Sequence, residues 1–273
     1  MTPSPICNDC VAIGCIRGQI GDGVKDLLAI DVGNTSVHFA YYEGSRWKED
    51  FRIPTQDIEK KAAAILKRKY GKQTNLAVVI GSVVPKVGNY LNRTIPRVLK
   101  ARTFMIGPKF PVPIANKYRK PSQVGVDRLL SALAAFDGHK KALIVIDFGT
   151  AITFDIVSQK GEYLGGVIAP GIEISLEALF QKTALLPKIR LAHPKNLIGK
   201  DTIESIRVGC SVGIGGLCDR IVDEIEKRYR FKAKVIATGG YAKFMSRYCR
   251  RISSIDPRLI SQGILLTYQH HFS

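Results

Sequence analysis

Three features of the sequence predict an α/β fold made of two similar halves. Strand-like and helix-like segments alternate along most of its 273 residues. The stretch LLAIDVGNTSVHFAYY, Leu27 to Tyr42, runs an apolar strand into a turn of small polar residues led by Asp31. The same pattern returns in ALIVIDFGTAITFDIVSQKG, Ala142 to Gly161, where Asp147-Phe148-Gly149-Thr150-Ala151 aligns with Asp31-Val32-Gly33-Asn34-Thr35. Such a repeat, separated by about the length of one small domain, is the mark of a duplication.

The elements follow in order. Residues 1–25, rich in Gly and Cys and without clear periodicity, read as a poorly ordered extension. After Asp31 the chain does not enter a helix, as it does in the common phosphate-binding turns. Ser36 to Tyr42 is rich in β-branched and aromatic residues and predicts a second strand. A third spans Trp47 to Ile53, followed by a helix from Gln56 to Tyr70. NLAVVIGSVVP, Asn75 to Pro85, reads as a buried strand with a Gly-Ser turn, VGNYLNRTIPRVL as a short helix, and VDRLLSALAAF, Val126 to Phe136, as an amphipathic helix.

After the second strand–turn–strand come YLGGVIAPG (Tyr163 to Gly171), a helix to about Phe180 and a loop. A helix from Thr202 to Arg228, the strand KVIATGG (Lys234 to Gly240), a helix, and a final helix from Leu259 to His271 complete the chain. The halves divide as residues 26–139 and 140–273, with the last helix able to pack back on the first half. Each half carries an Asp-x-Gly hairpin at its mouth, and the two are expected to face each other across a cleft.

A hydrophobic content of 45 % can supply a real core. No apolar run approaches the roughly 18 residues that span a bilayer, and no basic n-region precedes a long apolar one, so a cytoplasmic protein without membrane contact is expected. The net charge of +18 is scattered over helical segments, as in Lys60, Lys61, Lys67, Arg68 and Lys69, with no nucleic-acid module. A solvated surface is the stronger reading, and its field suits phosphorylated small molecules. Cys7, Cys10 and Cys15 lie in the extension, where CNDC lacks the further ligands of a zinc site. Cys210, Cys218 and Cys249 sit among apolar residues and read as small core hydrophobes.

The repeated hairpin suggests phosphate chemistry. Gly33 lacks the Cβ that would block approach to phosphate oxygens, and Asn34 or Thr35 adds side-chain donors. Asp31 can hold a hydrated divalent cation such as Mg2+ through water. Asp147, Gly149 and Thr150 would grip the same phosphate chain from the other side. For a single D-x-G the plainer reading is a turn-capping carboxylate, and the duplication is what favours function.

The sequence resembles the acetate and sugar kinase, Hsp70 and actin superfamily, and within it type III pantothenate kinases. DVGNT resembles that family's first phosphate motif, PSQVGVDR (Pro121 to Arg128) its substrate motif and DFGTAITFD (Asp147 to Asp155) its second phosphate motif. GGVIAPG, KTALLP, IGKDTIESIRVG and TGG (Thr238 to Gly240) follow in the family's order. The resemblance covers essentially Leu27 to the C-terminus. It departs at the N-terminal extension and at Lys182, where an arginine is common.

The resemblance implies two actin-like (ribonuclease H-like) domains with an ATP cleft between them. It implies ATP-dependent phosphorylation of pantothenate, the first step towards coenzyme A, by a homodimer that needs a monovalent cation, K+ or NH4+. Asp31, Val32, Gly33, Asn34, Thr35, Ser36, Val37, His38 and Thr150 would bind ATP. Tyr118, Gly125, Val126, Asp127, Arg128 and Thr202 would line the substrate site, with Asp127 the general base and Asp147 a ligand of the monovalent cation. A kinase for another small alcohol and a non-catalytic regulator of the same fold are the alternatives, and intact Asp31, Asp127 and Asp147 count against the regulator.

Phosphoryl transfer needs in-line positioning and charge neutralisation, with little proton chemistry until late. A carboxylate at Asp127 can orient an alcohol and accept its proton, and Arg128 can keep it ionised or hold a substrate carboxylate. The plainer reading of this pair is a helix start with aspartate at the positive end of the dipole. Asp155 either points into the cleft or remains a hairpin charge. Thr238, Gly239 and Gly240 serve either close approach to adenosine or a tight strand-to-helix connection. GCSVG, Gly209 to Gly213, matches a nucleophile-elbow pattern but lies in a helical stretch, so Ser211 is expected to be structural. The five histidines show no metal-like spacing, and none is expected to act in catalysis.

Overall fold

The computed structural model of the chain describes residues 26–272. The expected N-terminal extension, with Cys7, Cys10 and Cys15, lies outside them. The strands are β1 Asp26–Val32, β2 Ser36–Glu43, β3 Arg46–Pro54, β4 Leu76–Ser82, β5 Arg102–Met105, β6 Leu143–Phe148, β7 Ala151–Val157, β8 Tyr163–Pro170, β9 Lys234–Thr238 and β10 Ser254–Ile255. The helices are α1 Ile58–Tyr70, α2 Pro85–Leu99, α3 Val126–His139, α4 Ile172–Lys182, α5 Thr202–Val208, α6 Ile214–Tyr229, α7 Ala242–Met245 and α8 Leu259–Phe272.

The chain forms two compact units. One takes in the residues up to Lys140, Lys160–Tyr163 and everything from Arg258, and the other Lys141–Gln159 and Leu164–Pro257. The first unit carries a sheet in the order β3-β2-β1-β4-β5, with β1 antiparallel to β2 and parallel to β4. The second carries β8-β7-β6-β9-β10, with β6 antiparallel to β7 and parallel to β9. Strand for strand the two orders are the same, so the duplication visible in the sequence is a duplication of topology.

Central strands are apolar on both faces because helices cover both. In the first unit, Leu28, Ile30 and Phe39 pack with Leu66 of α1 and Leu91 of α2, while Leu27, Ala29 and Val79 pack with Leu130 of α3 and Ile264 of α8. Gly263 lets α8 approach α3 closely, since a Cβ there would meet the carbonyl carbon of Leu130 at 2.7 Å. In the second unit, Ile144, Ile146 and Phe154 pack with Ile172 of α4, Val222 of α6 and Met245 of α7.

Several elements differ from expectation in extent. The short strands β5 and β10 carry too few residues to show an alternation. The helical run expected from Thr202 to Arg228 is broken into α5 and α6 by a π-helical turn at Gly209–Gly213. Among the described residues no helix is long and apolar enough to cross a membrane.

Candidate active site

In the first unit Asp31 is the penultimate residue of β1, opposite His38 on β2 and beside Gly81 on β4. The last ladder pair, Val32 with Val37, leaves residues 33–36 to turn the chain. The Gly33 N–H donates to the Ser36 carbonyl at 3.1 Å, and a Cβ on Gly33 would lie 3.1 Å from that same oxygen. Glycine is favoured here by the closeness of the turn, and its own N–H is engaged within it. The turn therefore presents the exposed Asn34 and Thr35 side chains. Thr55 fastens it from outside: its N–H donates to the Thr35 carbonyl at 3.0 Å and its hydroxyl to the Gly33 carbonyl at 2.8 Å. Sequence reasoning missed Thr55, whose only signal is its place just beyond the end of a predicted strand.

Val32 and Val37 are fully buried, so any contact they make with a ligand is through backbone. The half-buried Ser36 pairs with Pro54 of β3. His38 turns toward β3, where its Nε2 lies 3.9 Å from Asp50 Oδ1 and it pairs with Arg52. Burial lowers its pKa, Arg52 pushes the same way and Asp50 opposes them, which favours a neutral imidazole.

Asp127 sits in the first turn of α3, after Gly125 as N-cap. Its Oδ1 accepts from the Arg128 N–H at 2.8 Å, and Gly125 leaves space for it, since a Cβ there would collide with that oxygen. Burial pushes the Asp127 pKa up, and the Arg128 N–H and guanidinium only partly counteract it. The carboxylate is thus a stronger proton acceptor than an exposed aspartate, although it stands at the favourable end of a helix dipole. A Cβ on Gly81, the neighbour of Asp31, would meet Leu130 at 3.0 Å, and one on Gly125 would meet Val83 at 3.5 Å. The start of α3 therefore packs against the carboxyl end of β4, the strand that pairs with β1 at Asp31.

Around Tyr163 the other expected substrate residues of this unit gather. The Lys117 N–H donates to the Tyr163 carbonyl and the Tyr163 N–H to the Ala115 carbonyl, both at 2.8 Å, which places the segment leading to Tyr118 alongside. The Arg128 guanidinium lies over the Tyr163 ring, 5.9 Å from its centroid. The half-buried Tyr118 is held by its N–H, which donates to Asn116 Oδ1 at 3.0 Å. Val126, the residue before Asp127, packs against the α3–α8 core.

The second unit builds a tighter version of the same hairpin. Asp147 ends β6 opposite Thr153 and beside Thr238, and the last pair, Phe148 with Ile152, leaves only residues 149–151 to turn. The turn is one residue shorter than the first, and the Gly149 N–H donates to the Ala151 carbonyl at 3.1 Å. Gly171 packs on it so closely that a Cβ would meet the Gly149 carbonyl at 2.9 Å, and α4 begins immediately after. Gly239, at φ +89°, has no room for a Cβ because the Phe148 carbonyl group lies 2.7 Å from that position. A Cβ on Gly240 would meet nothing within 4 Å. Gly239 is thus required by the tight end of β9, and Gly240 is not.

Tyr241, which follows, donates its N–H to the Phe148 carbonyl at 3.2 Å and its hydroxyl to Glu173 Oε1 on α4 at 2.6 Å. Burial and that carboxylate push its pKa up to about 12. Asp155 points into the protein: it is 1 % exposed and accepts from the Thr153 hydroxyl at 3.2 Å.

Thr202 opens α5, capped by Asp201, whose Oδ1 accepts from the Glu204 N–H at 2.8 Å. It lines a pocket of about 560 Å³ with Leu179, Leu186, Gly199 and Cys210. Ser211 is buried in the π-helical turn and donates to the Arg207 carbonyl at 2.6 Å, so it serves no nucleophile elbow. Cys210, Cys218 and Cys249 are buried free thiols. Among the described residues no group of three or more His, Cys, Asp or Glu could hold a metal ion.

Comparison with known proteins shows which family the chain resembles. The family model described as type III pantothenate kinase matches residues 27–224. A type III pantothenate kinase of Myxococcus xanthus is 38 % identical over 249 residues, covering 89 % of this chain and 97 % of the relative. One from Desulforapulum autotrophicum is 40 % identical over 249 residues, covering 87 % and 94 %. Among solved structures, a protein of Sinorhizobium meliloti described as a candidate 2-dehydro-3-deoxygalactonokinase superposes with a TM-score of 0.58 at 12 % identity, covering 90 % of this chain and 99 % of the other. At that identity the likeness is one of fold.

Proposed function

The chain belongs to the type III pantothenate kinase family, and from that premise we propose how its residues divide the work. The reaction is the ATP-dependent phosphorylation of pantothenate in coenzyme A biosynthesis, carried out with a divalent metal. The observation that supports this division is the largely buried Asp127 carboxylate at the start of α3, a helix that packs against β4, the strand beside Asp31.

Asp127 accepts a hydrogen bond from the pantothenate hydroxyl, turns its oxygen toward the γ-phosphate and takes the proton as the P–O bond forms. Arg128, over Tyr163, holds the pantothenate carboxylate, with Tyr118 and Gly125 beside it. Asn34, Thr35 and Ser36 bind ATP phosphates in the first unit and Thr150 in the second, while Val32, Gly33, Val37 and His38 shape the first turn. Asp31 holds Mg2+ through water, and Asp147 is a ligand of K+ or NH4+. These ions supply positive charge to the phosphates and leave proton transfer to Asp127.

The active form is a cytoplasmic homodimer. The second unit exposes Ile168, Leu185, Leu197 and Ile198 at 64, 92, 70 and 72 %, and a second copy of the chain would cover them. Thr202, in the adjoining pocket, contacts substrate in that assembly. Reduced thiols at Cys210, Cys218 and Cys249 suit the cytoplasm. The test is ADP release with pantothenate in K+ or Na+ buffer, with the oligomeric state measured in parallel. Pantothenate-dependent turnover higher in K+ by a dimer is expected. Turnover indifferent to the cation would overturn the role of Asp147, and an active monomer that of the dimer.

A further inference from the structure

The second unit holds a pocket of about 680 Å³ lined in part by Thr150 of the short hairpin. Its size is within the usual range for small-ligand sites. Ile174, Leu176 and Ile189 give it apolar surface, Glu177 and Lys188 pair with each other at 3.1 Å, and Glu173 and Arg190 add one further charge of each sign. Glu173 is held in place there. The Tyr241 hydroxyl donates to its Oε1 at 2.6 Å, and Tyr241 is itself fastened to the hairpin by its N–H on the Phe148 carbonyl. The structure thus links a carboxylate to the phosphate-binding turn through a single rigid side chain.

A ligand whose phosphate lies at Thr150 would share the pocket with the Glu173 carboxylate and with apolar side chains. A ribonucleotide carries groups for each of these: phosphates, a vicinal diol and a flat base. A carboxylate fixed by one hydrogen bond keeps acceptor sites on both oxygens, so it can take two O–H donors from neighbouring carbons.

We propose that Glu173, positioned by Tyr241, binds the ribose hydroxyls of the nucleotide and makes the enzyme selective for ribonucleotides. This rests on the kinase reading for the presence of ATP, and assigns two residues, Glu173 and Tyr241, that none of the family motifs quoted above contains. Tyr241 acts through Glu173, as a positioning residue.

The test compares ATP with 2′,3′-dideoxy-ATP in pantothenate-dependent ADP release, and ADP with 2′,3′-dideoxy-ADP in calorimetric binding. It uses the full-length protein, Glu173→Ala and Tyr241→Phe. Losing hydrogen bonds to a carboxylate corresponds to about 10-fold or more in affinity. The wild type should therefore bind the dideoxy nucleotides at least about 10-fold more weakly. Glu173→Ala should bind both kinds alike, with its loss falling on the KM for ATP and not on that for pantothenate. Tyr241→Phe should lose part of the discrimination. Discrimination that persists in Glu173→Ala, or that is absent from the wild type, would overturn the proposal. Ribose-selective ADP binding without pantothenate turnover would support it while sinking the kinase reading, so the two can fail separately.

Discussion

Replacing Gly239 by alanine tests how tightly the second hairpin is built. At φ +89° an L-residue is strained by about 1–2 kcal/mol. The new Cβ would also stand 2.7 Å from the Phe148 carbonyl carbon and oxygen, about 1 Å inside ordinary contact. The Asp147 carboxylate oxygen lies nearer still and would have to turn aside, but the Phe148 carbonyl is backbone at a strand end, so full relief also requires moving the chain that carries Asp147. Overpacking of this kind costs about 1–3 kcal/mol. The sum, roughly 2–5 kcal/mol, is a large part of the 5–15 kcal/mol by which domains are typically stable. Thermal denaturation followed by circular dichroism should show a midpoint lower by on the order of 10 °C. Gly240→Ala, whose added Cβ meets nothing, should stay within about 0.5 kcal/mol of wild type. A Gly239→Ala midpoint within about 1 °C of wild type, or equal damage from both variants, would refute the reasoning.

Other perturbations have definite expected outcomes. Thr55→Val removes the hydroxyl bond to the Gly33 carbonyl and should cost about 1 kcal/mol in urea denaturation while raising the KM for ATP several-fold. Glu226, only 5 % exposed, accepts from Arg251 at 2.8 Å, from Lys232 at 2.9 Å and from the Ala233 N–H at 2.9 Å. Burial alone would raise its pKa, but these donors together hold it at about 2. Its contribution to stability is therefore complete above the ordinary glutamate value of 4.5 and is lost as pH falls from there to about 2. Glu226→Gln should lower stability at pH 7 by roughly 2–3 kcal/mol and flatten that acid limb, which melts at a series of pH values would show. Ser211→Ala should retain pantothenate-dependent turnover, because its hydroxyl only bonds the Arg207 carbonyl within the helical run.

Much of the fold was legible because its signals are local and repeated. The apolar runs of β1, β4 and β6 are long enough to read as buried strands, and the second Asp-x-Gly turn turns a weak motif into evidence of duplication. The breaks came where tertiary packing decides. The π-helical turn at Gly209–Gly213 carries no periodic signature, and β10 has two residues. At the site, Asp31 and Asp147 could be singled out because their hairpin is repeated, and Asp127 because its motif resembles that of a known family. Thr55, Tyr163, Glu173 and Tyr241 could not, since each matters through a partner distant in sequence: Thr55 through Gly33, Tyr163 through Arg128, Glu173 and Tyr241 through each other. The split reading of Thr238-Gly239-Gly240 also needed coordinates, because only the left-handed backbone and the crowding by Phe148 separate the two glycines.

The central claim, that Asp127 is the base for pantothenate, is tested most directly by the pH dependence of kcat/KM for pantothenate in the wild type and in Asp127→Asn. A base acts only when ionised, and burial raises the pKa of Asp127, so the wild-type rate should fall as pH drops through a value above the usual carboxylate range. Asp127→Asn should lose about 10²–10⁴-fold in rate, and with it that acid limb. Turnover unchanged in the variant, or the same acid limb persisting in it, would contradict the account.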